Sequence, residues 1–290
     1  MILISGANGA AGRSVIKHLV KKGLAPRALV SNNKSADEVM KLGARPFVGD
    51  MRDVSVQKNA MDGISTIYHI APGLIPNELC LSRNFIASAK ALSIDRFILH
   101  GVSYPYAPDI EFHWTKMKLE AELLLSGLQY TIIRPTQFMQ NIIWSLPQII
   151  ATGEFGLPYS PNISMGFVDV DDLGKAVSKV LTEKGHSGAT YELCSIKKPI
   201  NRHDIAVALT EAFGVRIRAT RCSFDDLRSS HFFSSLSKNQ LQELSNMYDH
   251  IDQFGTAYFN NEVLEMLTGE PSTNYYEFAK RLPSIINSMR

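Results

Sequence analysis

The sequence predicts an α/β protein: a doubly wound parallel sheet carrying a smaller, mostly helical C-terminal lobe. Three observations carry that prediction. Short apolar runs alternate with helical patterns up to Pro135, the pattern of a parallel sheet covered by helices. The chain opens with Met1-Ile-Leu-Ile-Ser5 and then Gly6-Ala-Asn-Gly9-Ala-Ala-Gly12-Arg13, which read as a strand, a glycine-rich turn and the start of a helix. After Pro135 the alternation gives way to Gly-, Pro- and aromatic-rich stretches and then to helical patterns.

The strands are expected at Met1–Ser5, Pro26–Ser31, Ala44–Val48, Ser65–Ile70, Arg96–His100 and Tyr130–Arg134. Helices are expected near Ala10–Lys22, Ser35–Leu42, Val54–Met61, Glu78–Leu92 and Phe112–Ser126, with Gly23, Gly43, Gly49-Asp50, Gly63 and Gly127 as punctuation. Phe97-Ile-Leu99 and Thr131-Ile-Ile133 lack polar alternation, as strands buried on both faces should. Beyond Pro135, residues Phe138 to Ala151 read as one helix that Pro147 kinks or breaks. Gly153 to Pro161 reads as a loop. Phe167-Val168 reads as a short strand leading into a helix that Asp171 and Asp172 cap. Tyr191–Cys194 and Arg216–Thr220 are strand candidates, and the rest from Asn201 is mostly helical.

Composition bounds the function. The chain has 290 residues, 45% hydrophobic and 20% charged, enough for a packed core and against wholesale disorder. A formal net charge of +2 without a sustained basic stripe argues against nucleic acid as the primary partner. The three cysteines, Cys80, Cys194 and Cys222, are scattered and form no Cys-x-x-Cys pattern. With no leader ahead of the first strand and no apolar run long enough to span a bilayer, a cytoplasmic protein without a membrane partner is expected. Homo-oligomers are compatible with this reading.

Three glycines at three-residue intervals let the chain turn sharply, bring backbone close to a pyrophosphate and seat the helix on the strand. The helix N-terminus then offers unpaired N–H groups to phosphate. A dinucleotide site is therefore expected. The second strand ends in Val30-Ser31-Asn32-Asn33-Lys34, without the carboxylate that would accept from a ribose 2′-hydroxyl; Asp37 and Glu38 lie inside the next helix. Ser31, Asn33, Lys34 and Arg13 can donate to a 2′-phosphate, which favours NADP(H) over NAD(H). The alternative is that Asn32-Asn33 only turn the chain while Arg13 and Lys34 are solvated. Asp50 and Met51 follow the third strand, where they would meet the adenine or merely make a turn. Residues 1–137 would then hold the cofactor. Residues 138–290 would form the substrate lobe, with 167–195 returning to the nucleotide-binding core.

The glycine motif, Gly49-Asp50-Met51-Arg52-Asp53, Asp95-Arg96-Phe97-Ile98 and Ser126-Gly-Leu-Gln-Tyr-Thr-Ile-Ile-Arg-Pro-Thr-Gln-Phe-Met-Gln-Asn141 resemble the NmrA-like branch of the atypical short-chain dehydrogenases. Phe167-Val-Asp-Val-Asp-Asp172 and Gly188-Ala-Thr-Tyr-Glu-Leu193 extend the likeness over roughly residues 1–225. The resemblance implies a Rossmann-type fold and NADP(H) binding. It does not fix a reaction, because that branch holds quinone, imine and dye reductases, biosynthetic oxidoreductases and redox-sensing regulators.

Ordinary short-chain dehydrogenases carry Tyr-x-x-x-Lys, the tyrosine giving a proton to the substrate oxygen and the lysine holding the nicotinamide ribose. Here the segment reads Phe112-His-Trp-Thr-Lys116. Phenylalanine donates no proton. Reducing an isolated ketone makes an alkoxide that needs an acid at once. Reducing a quinone, enone or iminium makes a delocalised anion or a neutral amine. A conjugated or aromatic small molecule is thus the expected substrate, with a regulator that only senses NADP(H), or a non-redox isomerase or cyclase, as alternatives.

The expected catalytic set is Lys116, His113 and Tyr104. Glu120, one turn beyond Lys116, is a further acid or an exposed ion-pair partner for it. The expected cofactor set is Gly6, Asn8, Gly9, Ala10, Ala11, Gly12, Arg13, Ser31, Asn33, Lys34, Asp50, Met51, Ala71, His100, Lys116, Pro135 and Phe138. Tyr106, Phe112, Gln137, Phe155 and Tyr159 are expected to touch substrate, in a cleft that also takes Thr136, Met139, Trp144 and Phe167. Asp169, Asp171 and Asp172 read as helix-capping residues and not as a metal site.

Overall fold

The computed structural model describes residues 1–75, 77–228, 231–256 and 259–289. The nucleotide-binding half runs β1 (Ile2–Ile4), α1 (Ala10–Lys21), β2 (Arg27–Val30), α2 (Asn33–Lys41), β3 (Arg45–Val48), α3 (Val54–Met61), β4 (Thr66–His69), α4 (Glu78–Ala91), β5 (Arg96–His100), α5 (Glu111–Leu125) and β6 (Tyr130–Pro135). The rest runs β7 (Gln137–Phe138), a 3₁₀ segment (Met139–Trp144), α6 (Leu146–Thr152), β8 (Glu154–Leu157), β9 (Phe167–Val168), α7 (Val170–Thr182), β10 (Thr190–Leu193), α8 (Arg202–Phe213) and β11 (Arg218–Arg221). Four helices and a short turn of helix finish it: α9 (Phe224–Arg228), α10 (His231–Ser234), α11 (Lys238–Phe254), α12 (Glu262–Thr268) and α13 (Tyr275–Met289).

Seven strands form one parallel sheet in the order β10-β6-β5-β4-β1-β2-β3. Strand alternation sends successive apolar side chains to opposite faces. Ile4 and Tyr68 join Val15, Ile16 and Leu19 of α1 and Val177 of α7 on one face. Leu3, Ile67 and Phe97 join Met61, Phe85 and Leu119 on the other. The order reverses between β1 and β4, and at such a switch point helices leave to opposite faces and a crevice opens at the C-terminal strand ends.

Residues from α7 and β10 belong to this layer: β10 pairs with β6 at the sheet edge and α7 packs along α1. The α1–α7 approach is close because Gly174 faces Ser14; a Cβ at Gly174 would lie 2.1 Å from Ser14 Oγ. A third core holds the C-terminal lobe, with Met139, Leu146 and Phe155 against Leu209, Phe278 and Leu282.

Two expectations change. Phe138–Ala151 is not one helix: Phe138 ends a strand, a 3₁₀ turn follows, and α6 starts afresh at Leu146 with Pro147 in its first turn, where a missing N–H costs nothing. Gly153–Pro161 is not a plain loop, because β8 pairs in parallel with β11, which itself lies at Arg218–Arg221. The Phe167-Val168 strand pairs with β7 outside the main sheet. No helix among the described residues is long and apolar enough to cross a membrane.

Gly174→Ala should destabilise the protein by about 1–3 kcal/mol, the usual cost of overpacking a tight contact. Urea denaturation measures it; an unchanged midpoint would show that α1 and α7 have room to spare.

Candidate active site

Two clefts meet at the C-terminal ends of β1 and β4. The first, of about 1110 Å³, runs past Gly6, Asn8, Gly9, Ser31, Asp50 and Met51. Gly6 has φ +58°, and a Cβ there would lie 2.6 Å from the Ile70 carbonyl oxygen. A Cβ at Gly12 would lie 2.7 Å from the carbonyl oxygens of Gly6 and Ala7. Both positions therefore require glycine. Gly9 caps α1 with no side chain, and the first turn (Ala10, Ala11, Gly12) carries no acid. Gly6 to Gly9, which lead into that turn, line the cleft, and the first N–H groups of a helix have no partner within it, so the residues fit a dinucleotide.

The rim beyond the glycines is polar and cross-linked. Asn8 donates to Ser35 Oγ (3.1 Å), and Arg13 donates to Asn8 Oδ1 (3.0 Å) and to Glu38 Oε2 (2.9 Å). Glu38 thus holds Arg13. Asn32 caps α2 by accepting from the Ser35 N–H, while Asn33 and Lys34, its first two residues, are exposed and away from the cleft wall. Ser35 lines the cleft and was not foreseen. Its signal was the Asn-x-x-Ser spacing of a cap. Asp50 is held by Arg52, whose hydrogen bonds keep its carboxyl below the usual range.

The second cleft, of about 330 Å³, shares Ile70 and Ala71 with the first. His100, Pro135, Gln137 and Phe138 reach it from the strand ends. Phe112, His113 and Lys116 reach it from α5, Tyr104 and Tyr159 from loops. Two expected substrate residues lie elsewhere. Tyr106 is exposed, its ring 5.0 Å from the Arg134 guanidinium and its hydroxyl accepting from Arg134 Nη1 at 2.6 Å. Phe155 points into the lobe core with Met139 and Phe167, and Trp144 is 59% exposed. The wall not foreseen is α11, which lays Met247, Tyr248, His250 and Ile251 across the cleft. Its apolar period marks a buried face, but nothing in the pattern says what that face covers.

Lys116 Nζ lies 2.5 Å from Glu78 Oε1, with both side chains 3% exposed. Glu78 opens α4 directly after the left-handed Asn77 (φ +72°). The Phe112 ring centroid is 5.8 Å from the same ammonium. Lys116 and Glu120 are not a surface pair. Glu120 is buried and bound by Arg134 at 2.5 Å, which leaves no space for a Cβ at Gly101.

Burial, then the Lys116 charge, pushes His100 down to about 3; its Nδ1 is 2.6 Å from the Tyr68 hydroxyl. Burial and Lys116 push His69 to about 3 as well, between Ser5 and Ser82. His113 Nδ1 is 2.9 Å from the Tyr104 carbonyl oxygen, which only accepts, so Nδ1 carries the proton. Burial, with His250 and Lys116 nearby, lowers the His113 pKa, so its Nε2 presents a lone pair.

The family model described as NmrA-like family matches residues 1–279. The chain belongs to the NmrA-like family. Membership extends past the residues that carried the resemblance in sequence, into α13. An NAD(P)H azoreductase from Xenophilus azovorans is 23% identical over 282 residues, 97% of each chain. An NADPH-dependent quinone oxidoreductase from Escherichia coli, crystallised with NADPH, aligns with TM-score 0.84 at 24% identity, covering 97% of this chain and 99% of that one. The triphenylmethane reductase of Citrobacter sp. aligns with TM-score 0.85 at 22% identity over 98% and 99%.

In this NmrA-like chain Asp169 caps α7 as expected and also binds Gln140 and Arg281. Asp171 pairs with His18, and Asp172 accepts from Ser195 and Thr273. These carboxylates fasten α7 to α1 and to the C-terminal segments. Among the described residues no group of three or more His, Cys, Asp or Glu is gathered as a metal ion would need.

The two buried histidines make stability fall in acid. Their folded values lie far below the ordinary 6.5, so their contribution is complete above pH 6.5. It is lost as pH falls toward 3, with a slope approaching ~1.4 kcal/mol per pH unit for each histidine. Urea titrations at stepped pH should show this slope, halved in His100→Gln. Stability that holds level from pH 6.5 to 4.5 would contradict the neutral assignment.

Proposed function

We propose that this protein is an NAD(P)H-dependent reductase of a flat conjugated or aromatic electrophile: a quinone, an enone or an iminium. The observation that carries the reading is the junction of the two clefts. A glycine cradle for pyrophosphate opens through Ile70 and Ala71 onto an apolar chamber that holds Lys116, with Phe112 where a phenol would stand. The names of the similar azo, quinone and triphenylmethane reductases support the same class of acceptor.

The nicotinamide, when bound, supplies the hydride. Residues 1–137 hold the cofactor and the later segments wall the substrate, with 167–195 returning to the core. Backbone at Gly6, Gly9 and Gly12 holds the pyrophosphate, and Met51 and Asp50 border the adenine. Ser31, Ser35 and the Asn8–Arg13 pair present donors to a 2′-phosphate, which favours NADPH. Glu38 takes part of the Arg13 charge and narrows that preference. Lys116, pinned by Glu78, donates to the nicotinamide ribose. Phe112 lines the chamber and gives no proton, and His113 in its neutral form accepts a hydrogen bond. An open, aromatic-lined chamber supports an enzyme over a purely sensing regulator. Three free cysteines suit a reducing compartment such as the cytoplasm.

The test is consumption of NADPH with 1,4-naphthoquinone, cyclohexenone and an iminium dye against 2-butanone. The missing phenol should cost the simple ketone about 10²–10⁴-fold in rate, the usual worth of a positioned acid. Gly9→Asp, which caps α1 but places a carboxylate in the cradle, should keep the fold and lose NADPH binding. Tight NADPH binding with no acceptor reduced would favour the sensing or non-redox reading. Fast 2-butanone reduction would remove the argument from Phe112.

A further inference from the structure

We propose that His250 gives the proton to the reduced substrate, with Asp109 steadying its imidazolium; the inference rests on the reductase reading above. His250 comes from α11, where it lines the second cleft with its side chain 7% exposed. Neither ring nitrogen has a hydrogen-bond partner among the described residues. A buried polar group left so is costly, about 1–3 kcal/mol, and calls for a ligand that completes it. The ring centroid stands 4.9 Å from that of Phe254 and 5.9 Å from that of Tyr104, tilted by about 50° to each, so the ring is packed between two aromatics.

The charged and titratable groups around it are few. Asp109, exposed in the loop before α5, has Oδ2 3.8 Å from His250 Nδ1, too far for a hydrogen bond but close enough to favour a cation. His113 and Lys116 face the same cleft from α5, and Tyr104 and Tyr159 from loops. The His113 proton is committed to the Tyr104 carbonyl. The Tyr159 hydroxyl donates to Met165 Sδ, and burial raises its pKa. On α11 itself Tyr248 is half-buried and stacked on Tyr159, and Asp252 is bound by Arg221 and the Ser160 N–H. His100 also reaches the cleft, but its Nδ1 is taken by the Tyr68 hydroxyl and burial holds its pKa down to about 3; His250 is the cleft imidazole with neither nitrogen partnered among the described residues.

The step balances. Hydride from the reduced nicotinamide leaves a quinone or enone with an electron pair on oxygen. The N–H bond of the His250 imidazolium breaks, an O–H bond forms on that oxygen, and the neutral ring takes a proton back from water once product leaves. An iminium reduced by hydride becomes a neutral amine and needs no proton. The residue should therefore matter for one kind of acceptor far more than for the other.

The experiment compares 1,4-naphthoquinone with an iminium dye, each with NADPH, across the histidine range of about pH 5–8. In the native protein kcat for the quinone should fall as pH rises, and the dye profile should be level. His250→Phe should shift the quinone-to-dye rate ratio by about 10²-fold against the quinone and flatten its profile. Asp109→Asn, on the surface, should slow the quinone reaction and leave the dye reaction unchanged. Equal losses for both acceptors with an unaltered quinone profile would make His250 a packing residue and overturn the proposal. A cofactor-free reading separates this from the reductase claim. The 2-hydroxy-1,4-naphthoquinone anion should bind more weakly as pH rises, and independently of pH in His250→Phe. Binding that ignores pH in the native protein overturns the assignment even if turnover is seen; pH-linked binding without turnover keeps His250 as the ligand group and removes the reductase.

Discussion

The backbone of Gly6 lies against the carbonyl of Ile70, and both clefts are organised around that contact. It brings the ends of β1 and β4 together at the point where the sheet order reverses. Ser5 fastens the junction: its hydroxyl accepts from the Ile70 N–H at 2.9 Å and meets His69 Nδ1 at 2.8 Å. His69 then reaches Ser82 on α4. A single buried polar chain therefore links the first two strands of the switch point to the helix that starts with Glu78. Ile70 and Ala71, immediately beyond, are the residues the two clefts share.

That helix matters because it carries the counter-charge for Lys116. Removing either member of such a buried pair leaves an uncompensated charge, at a cost of about 3–5 kcal/mol, whereas an apolar pair of similar volume would often be as stable. Stability alone therefore does not explain the pair. What it does is fix an ammonium at one point of an apolar chamber. Arg134 and Glu120 form a second buried pair against Gly101, which itself lines the chamber. Phe112 lines the chamber without offering a proton, which suits acceptors whose reduced form carries its charge over many atoms.

The sheet was legible because parallel strands buried on both faces leave uninterrupted apolar runs, and because glycines mark the turns. The cradle was legible because Gly6 and Gly12 are required by backbone contacts that no other residue permits. Lys116 could be placed through its spacing from Phe112. Its partner could not, because Glu78 lies far away in sequence and only the packing of α4 on α5 joins them. β8 was hidden for the same reason: Glu154–Leu157 is a strand only because Arg218–Arg221 lies beside it. Pro147 signalled a break, but the position of the break was decided by β7 pairing with β9. Tyr106 and Phe155 looked like cleft aromatics from composition, and went to an arginine and to the lobe core. The face of α11 was readable as buried while its target was not, so His250 was missed.

The central claim is that hydride passes from a cradled nicotinamide to a conjugated acceptor in the chamber beside Lys116. A single turnover of a triarylmethane cation with NADPH doubly deuterated at C4 of the nicotinamide, followed by mass spectrometry of the colourless product, tests it most directly. The account predicts one deuterium on the former central carbon of each product molecule. A product without deuterium, or a cofactor that stays bound and reduced beside unchanged dye, would contradict it.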